Sequence, residues 1–266
     1  MKKYDAGFIG AGNMGGALAA AAINKVGGGK VAVACSSPAS TAAKAKRLGC
    51  YAATAEDILA NSSFVFLGVK PQKIERLVRS LAGEISVSDS IFVSMIAGVS
   101  LEKLALLLGD KRKIIRILPN TACAVGKGVM LLSANEYVTA EELAVFHELM
   151  ELSGIIDAIN EELIDAASAI SGCGPAYAYM FIEALADGGV KCGVPRDKAI
   201  KYAAQMLSGA AELVLGSGKH PEQLKDEVCS PGGSTIAGVY ELEEHGFRAG
   251  CIAAVEAAYE KNTELG

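Results

Sequence analysis

Tryptophan is absent from the sequence, and aromatic side chains make up 6% of it against 51% hydrophobic residues in total. The core therefore has to be built from Ala, Val, Leu and Ile, whose small volumes let helices pack closely. No stretch approaches the roughly 20 apolar residues that span a bilayer, and the apolar start Tyr4 to Ile9 runs into glycines rather than a cleavage site. A cytoplasmic protein with no membrane partner is expected. The seven cysteines, Cys35, Cys50, Cys123, Cys173, Cys192, Cys229 and Cys251, form no C-x-x-C pair, and their odd number points to free thiols in a reducing compartment. The three histidines, His147, His220 and His245, stand apart from the cysteines, so no metal site is expected. With a net charge of -5 and dispersed Lys and Arg, the chain has no basic field for nucleic acid.

What is present divides the 266 residues into two halves of different character. The first alternates β-rich runs, Tyr4 to Ile9, Lys30 to Cys35, Phe64 to Val69, Ile91 to Met95 and Lys113 to Leu118, with helical stretches. Helix starts are marked by Ser37 before Pro38, Thr54 with Asp57, Pro71, and Ser100 before Leu101. Such alternation predicts an α/β fold with a doubly wound parallel sheet. Val129 to Leu132 adds a candidate strand, and Thr139 with Glu142 reads as a capping box opening a helix that stops at Gly154. Beyond about Asn160 the β signal ends, and Ala-rich segments at Glu161 to Ile170, Ala176 to Lys191, Arg196 to Leu215 and Thr235 to His245 predict an all-helical second domain. The expected division is 1–159 and 160–266.

Directly after the first strand stands G-A-G-N-M-G, Gly10, Ala11, Gly12, Asn13, Met14 and Gly15, opening a helix. Gly10 permits a tight turn, Gly12 lets backbone approach a pyrophosphate, and Gly15 lets helix and strand pack closely, while the helix start offers amide N–H groups and positive dipole to phosphate. In this context the motif predicts a dinucleotide site. An NAD site usually places an acid at the end of the second strand for the ribose 2′-hydroxyl. Here no acid occurs between Asp5 and Glu56, and that strand ends Cys35, Ser36, Ser37. Two hydroxyls and the amides of the next helix, aided by Lys44 or Arg47, accept a 2′-phosphate without like-charge repulsion, so NADPH is expected, with NADH usable at lower efficiency. Further cofactor contacts are expected past the later strands, at Val69, Lys70 and Pro71, at Ile96, Ala97 and Gly98, and at Asn120. Lys70 is open between phosphate, nicotinamide ribose, substrate carboxylate and a solvent-facing helix start.

The second half contains one segment with chemical content. In Ser230 to Ile236, Pro231 stiffens a turn, Gly232 and Gly233 expose backbone N–H groups, and a helix begins, which together form an anion cradle. A small substrate carboxylate fits at Gly233 and Ser234, flanked by Ser230 and Gly232, with the Thr235 hydroxyl presented beside it. The helix Ala176 to Val190 is apolar around most of its circumference, and burial in an intersubunit interface is expected, with burial inside one subunit as the alternative.

Taken in order, G-A-G-N-M-G at Gly10, V-K-P at Val69, A-G-V at Ala97, P-N-T at Pro119, S-G-C-G-P-A-Y from Ser171 to Tyr177 and S-P-G-G-S-T-I from Ser230 to Ile236 resemble the pyrroline-5-carboxylate reductase family over nearly the whole chain. Ala122, Cys173 and Ser234 depart from the family's usual P-N-T-P, S-G-S-G-P-A-Y and S-P-G-G-T-T. The resemblance implies a Rossmann-like domain and a helical dimerisation domain that interlocks with a second subunit, an obligate homodimer of a kind often assembled into larger rings. Helical packing implies a nicotinamide pocket completed by a second domain, the chain's own or its partner's, and in the latter case inactive monomers are expected. The resemblance also implies hydride transfer from NADPH to the C=N bond of 1-pyrroline-5-carboxylate, giving L-proline as the last step of its biosynthesis, with Thr235 hydrogen-bonding the ring nitrogen. The competing readings are a related imine reductase, a β-hydroxyacid-dehydrogenase-like enzyme, for which Lys191 is the sole lysine on the central helix, and a non-catalytic NADP-binding oligomer.

Overall fold

Strand β1 (Tyr4–Ile9) lies third in an eight-stranded sheet of order β3-β2-β1-β4-β5-β6-β7-β8. The structure is a computed structural model and describes residues 2–265. The strands are β2 (Val31–Ala34), β3 (Tyr51–Ala52), β4 (Ser62–Leu67), β5 (Ile91–Ser94), β6 (Ile114–Pro119), β7 (Gly128–Ala134) and β8 (Gly154–Ala158). The first six run parallel, β7 is antiparallel to β6, and β8 is parallel to β7. Chain order reverses at β1, with β2 on one side and β4 on the other, which opens a crevice at the carboxyl ends of the central strands.

Helices α1 (Asn13–Val26), α2 (Pro38–Leu48), α3 (Ala55–Asn61), α4 (Ile74–Ser80), α5 (Ala82–Val87), α6 (Leu101–Leu108) and α7 (Ala140–Met150) cover the sheet. Residues alternate between its faces, as a period of two requires. Phe8, Phe64, Phe66, Val93 and Ile117 meet the apolar sides of α1 and α7. Val65, Leu67, Phe92 and Ile114 meet those of α3 to α6. With no tryptophan available, a few phenylalanines carry the aromatic packing: the Phe8 and Phe66 rings stack at 4.3 Å and Phe146 of α7 lies 6.1 Å from Phe66.

The helix starts follow the expected caps. Ser37 and Ser40 form a reciprocal box on α2, Thr54 accepts from the Asp57 amide, Ser100 from that of Lys103, and Thr139 with Glu142 closes the box on α7. Two strands differ from the sequence reading. β3 is only two residues long, too short for a β-rich run to register. Gly154 does not end a helix: α7 stops at Met150, and Gly154, at φ 127°, begins β8 so close to Gly128 that no side chain fits.

The remaining helices are α8 (Ile164–Ser171), α9 (Gly174–Lys191), α10 (Arg196–Ser217), α11 (Pro221–Val228), α12 (Ser234–Glu244) and α13 (Phe247–Leu265). α13 went unread in the sequence because its apolar residues do not gather into a single stripe. The helical region does begin near Glu161, but the compact units divide later than residue 160. One holds the residues through Cys173 together with those from Ala258 onward, and the other holds Gly174–Ala257. The cause is packing. Arg116 of β6, 3% exposed, donates to Glu161 at 2.8 Å and Asp165 at 3.3 Å, and Asn262 donates to the Asp165 carbonyl at 3.0 Å. Ile164 and Ala169 are fully buried. No helix among the described residues is long and apolar enough to cross a membrane.

Candidate active site

Gly10 ends β1 at φ 97°, a left-handed conformation open to glycine, and its amide donates to the Ala34 carbonyl of β2 at 2.8 Å. A methyl group at Gly10 would lie 2.5 Å from the Gly68 carbonyl oxygen, one at Gly15 would lie 2.6 Å from the Gly10 carbonyl oxygen, and one at Gly68 would lie 2.5 Å from that same Gly10 oxygen. These three glycines are packed against one another. Gly12 differs, because a methyl group there meets no atom within 4 Å. Above it is open space, bounded by the exposed Asn13 and the start of α1, whose N-cap makes no side-chain hydrogen bond. A long helix with an uncapped N-terminus beside an unobstructed backbone has the features needed to take a dinucleotide pyrophosphate. Ala11 is buried and Met14 half-buried.

The other expected cofactor residues fall along the same carboxyl edge of the sheet. Cys35, Ser36 and Ser37 follow β2, where the Cys35 amide donates to the Thr41 hydroxyl and that hydroxyl donates to the Ser37 carbonyl, both at 2.9 Å. Ser36 is exposed, while the Ser37 hydroxyl is engaged in capping α2. Val69, Lys70 and Pro71 follow β4, and the exposed Lys70 opens a short turn of helix over Pro71–Lys73. Past β5, Ile96 is buried and offers only backbone, whereas Ala97 is exposed and Gly98 turns at φ 70°. Asn120 differs from its expected role. Its Oδ1 accepts from the Ala122 and Val129 amides and its Nδ2 donates to the Ser171 carbonyl at 2.9 Å, so the side chain braces the protein internally. Gly68 and Thr41 were not singled out from the sequence. Gly68 carried a signal as a glycine at a strand end, and Thr41, buried inside a helix, carried none.

In the second unit, the loop after α11 folds into a turn in which the Gly233 amide donates to the Ser230 carbonyl at 3.0 Å and Gly232 adopts φ 68°. A side chain at Gly233 would collide with the Ser230 hydroxyl. Gly233 is the N-cap of α12 and makes no side-chain hydrogen bond, so the first-turn amides from Ser234 onward face an exposed surface. The amide of Gly233 itself closes the turn, so the amides at the open start of the helix are those from Ser234 onward. Thr235 is exposed in the first turn of the same helix.

Two of the three histidines serve helix ends. His220 caps α11 by accepting the Glu222 amide at 3.2 Å, and His245 bonds the Glu241 carbonyl at 2.8 Å. Burial pushes the thiols of Cys50 and Cys123 up, away from reactivity. Among the described residues no cluster of His, Cys, Asp or Glu can hold a metal ion. Lys191 is the last residue of α9.

A doubly wound sheet with a glycine-lined, uncapped helix start at its switch point, continued by a helical unit with an anion turn, defines a two-domain oxidoreductase that uses a nicotinamide dinucleotide. Residues 161–265 match the family described as pyrroline-5-carboxylate reductase dimerisation, and residues 5–98 match the family described as NADP oxidoreductase coenzyme F420-dependent. The chain belongs to the pyrroline-5-carboxylate reductase family. It is 41% identical to the pyrroline-5-carboxylate reductase of Escherichia coli (strain K12) over 97% of both chains, and 40% identical to that of Pisum sativum over 98% of this chain and 96% of the other. Among solved structures it is similar to Plasmodium falciparum pyrroline carboxylate reductase with NADP bound, with a TM-score of 0.88, 33% identity, and coverage of 100% of this chain and 99% of that one.

Proposed function

We propose that the protein reduces the C=N bond of 1-pyrroline-5-carboxylate with NADPH, giving L-proline. The observation that carries this reading is the presence, in one chain of this family, of two helix starts built on glycines, at α1 and α12, neither closed by a side-chain cap. One is a long glycine-lined cradle suited to a dinucleotide, and the other is a tight Ser230–Gly233 turn suited to a small carboxylate. The amides of Asn13 through Gly15 hold the pyrophosphate, the exposed Ser36 hydroxyl holds the 2′-phosphate, and the backbone at Val69, Lys70, Ile96, Ala97 and Gly98 lies toward the nicotinamide end. The bound dihydronicotinamide supplies the hydride.

The chain's own residues bind and orient the imine. The Ser234 and Thr235 amides donate to the substrate carboxylate, and the Thr235 hydroxyl hydrogen-bonds the ring nitrogen, fixing which face of C5 is presented. A threonine hydroxyl is too weak an acid to protonate the imine, so the proton arrives on the iminium or from solvent. One substrate, one hydride and one proton then balance one proline. Free cysteines and dispersed basic residues support a cytoplasmic protein without a nucleic-acid partner, and the exposed apolar helices of the second unit support an obligate dimer assembled into rings.

Replacing Thr235 by Val tests the assignment. Removing one hydrogen bond to a charged transition state lowers kcat/KM by about 10- to 100-fold, with NADPH affinity measured by fluorescence titration preserved. Full turnover in Thr235→Val contradicts the role given to Thr235.

A further inference from the structure

With the first unit read as an NADPH site, Lys44 is a cation held at its glycine loop. Lys44 lies in the second turn of α2, half-buried, and its Nζ donates to the Gly12 carbonyl at 3.1 Å. At 1.5 Å per residue its Cα is about 9 Å along the helix from Pro38, and helical side chains lean toward the N-terminus, so the ammonium returns to the end of α2 that follows β2. Thr41, one turn earlier on the same face, holds the Cys35–Ser37 segment through bonds to the Cys35 amide and the Ser37 carbonyl. The same helix face therefore positions the strand end where the adenosine ribose lies and brings a cation to it.

Among the described residues no carboxylate pairs with Lys44. Its described partner is a neutral carbonyl, and the sequence places no acid between Asp5 and Glu56. The ammonium also sits at the N-terminal end of α1, where the helix dipole disfavours a cation. A half-buried cation held against a positive helix end, with a carbonyl as its protein partner, is an arrangement that an anion relieves. Arg47, a further turn along α2 and exposed, is less suited: with Lys46 it lies in the last turn, where cations complement the other end of the helix dipole.

We propose that Lys44 is the residue that selects NADPH over NADH, its ammonium bridging the Gly12 carbonyl and the ribose 2′-phosphate beside Ser36. The test is calorimetric titration of the full-length protein with 2′,5′-ADP and with 5′-ADP, for the wild type, Lys44→Met and Lys44→Arg. A lost charge-assisted bond weakens 2′,5′-ADP by about tenfold or more in Lys44→Met and 5′-ADP by much less, and Lys44→Arg restores most of the preference. Equal weakening of both nucleotides would place Lys44 at the pyrophosphate or in loop support, and an unchanged preference would remove it from the site. Either result overturns the proposal. Failure of the wild type to bind either nucleotide would instead overturn the NADPH reading on which it rests.

Discussion

A methyl group added at Gly12 meets nothing within 4 Å, whereas one added two residues earlier at Gly10 meets the Gly68 carbonyl oxygen at 2.5 Å on a backbone with φ 97°. Two glycines of one motif thus answer to different constraints, ligand approach at Gly12 and chain packing at Gly10. Gly12→Ala is expected to keep its melting temperature within the small shift typical of an uncrowded site, about 0.5 kcal/mol, while NADPH affinity falls by tenfold or more. Gly10→Ala is expected to destabilise the fold itself by about 1–3 kcal/mol through backbone strain and crowding. Thermal melts beside NADPH titrations of the two variants check this. A Gly12→Ala protein that melts early and a Gly10→Ala protein that does not would reverse the assignment.

At the level of elements, the capping box of α7 ties that helix to β6 through charge. Burial pushes the Glu142 carboxyl up, but the Lys113 ammonium beside it and the Thr139 amide outweigh burial and hold it below its ordinary value of 4.5. A carboxyl whose pKa is depressed on folding contributes stability that is fully present above the unfolded value and is lost as pH falls through the folded one. Urea unfolding at fixed protein concentration should therefore show a stability gap between wild type and Glu142→Gln at pH 7 that narrows steadily below about pH 4.5. A gap independent of pH contradicts the ion pair's role. This box was legible in the sequence, as were the caps at Ser37, Thr54 and Ser100, because capping depends on a local pattern of a few residues. The long strands were legible through their β-rich runs. What escaped was non-local: the two-residue β3, the β8 start at Gly154, which depends on close contact with Gly128, and the attachment of residues 161–173 to the sheet, which depends on Arg116 meeting Glu161 and Asp165. The candidate site divided the same way. The glycine loop and the Ser230 turn are contiguous and could be read, while the internal bracing by Asn120 and the reach of Lys44 to Gly12 join residues distant in sequence.

For the molecule as a whole, the second unit exposes too much apolar surface to stand alone. Met180 is 70% exposed on α9, Leu213 62% on α10 and Ile252 60% on α13, while the buried apolar residues of its helices are the alanines Ala186, Ala199 and Ala203. Surfaces of this kind mark association, and together with the dimerisation family match they make the protein a homo-oligomer. Met180→Asp and Leu213→Asp together are expected to shift sedimentation toward the monomer, with activity declining over the same concentration range as the larger species. Full specific activity in a monomer would contradict the dependence of catalysis on assembly. The account rests most directly on the reaction itself, measured as NADPH oxidation by the purified protein with 1-pyrroline-5-carboxylate, beside NADH and beside the six-membered ring analogue. It predicts one L-proline formed for each NADPH consumed, with NADH slower. Undiminished NADPH binding without proline formation would contradict it.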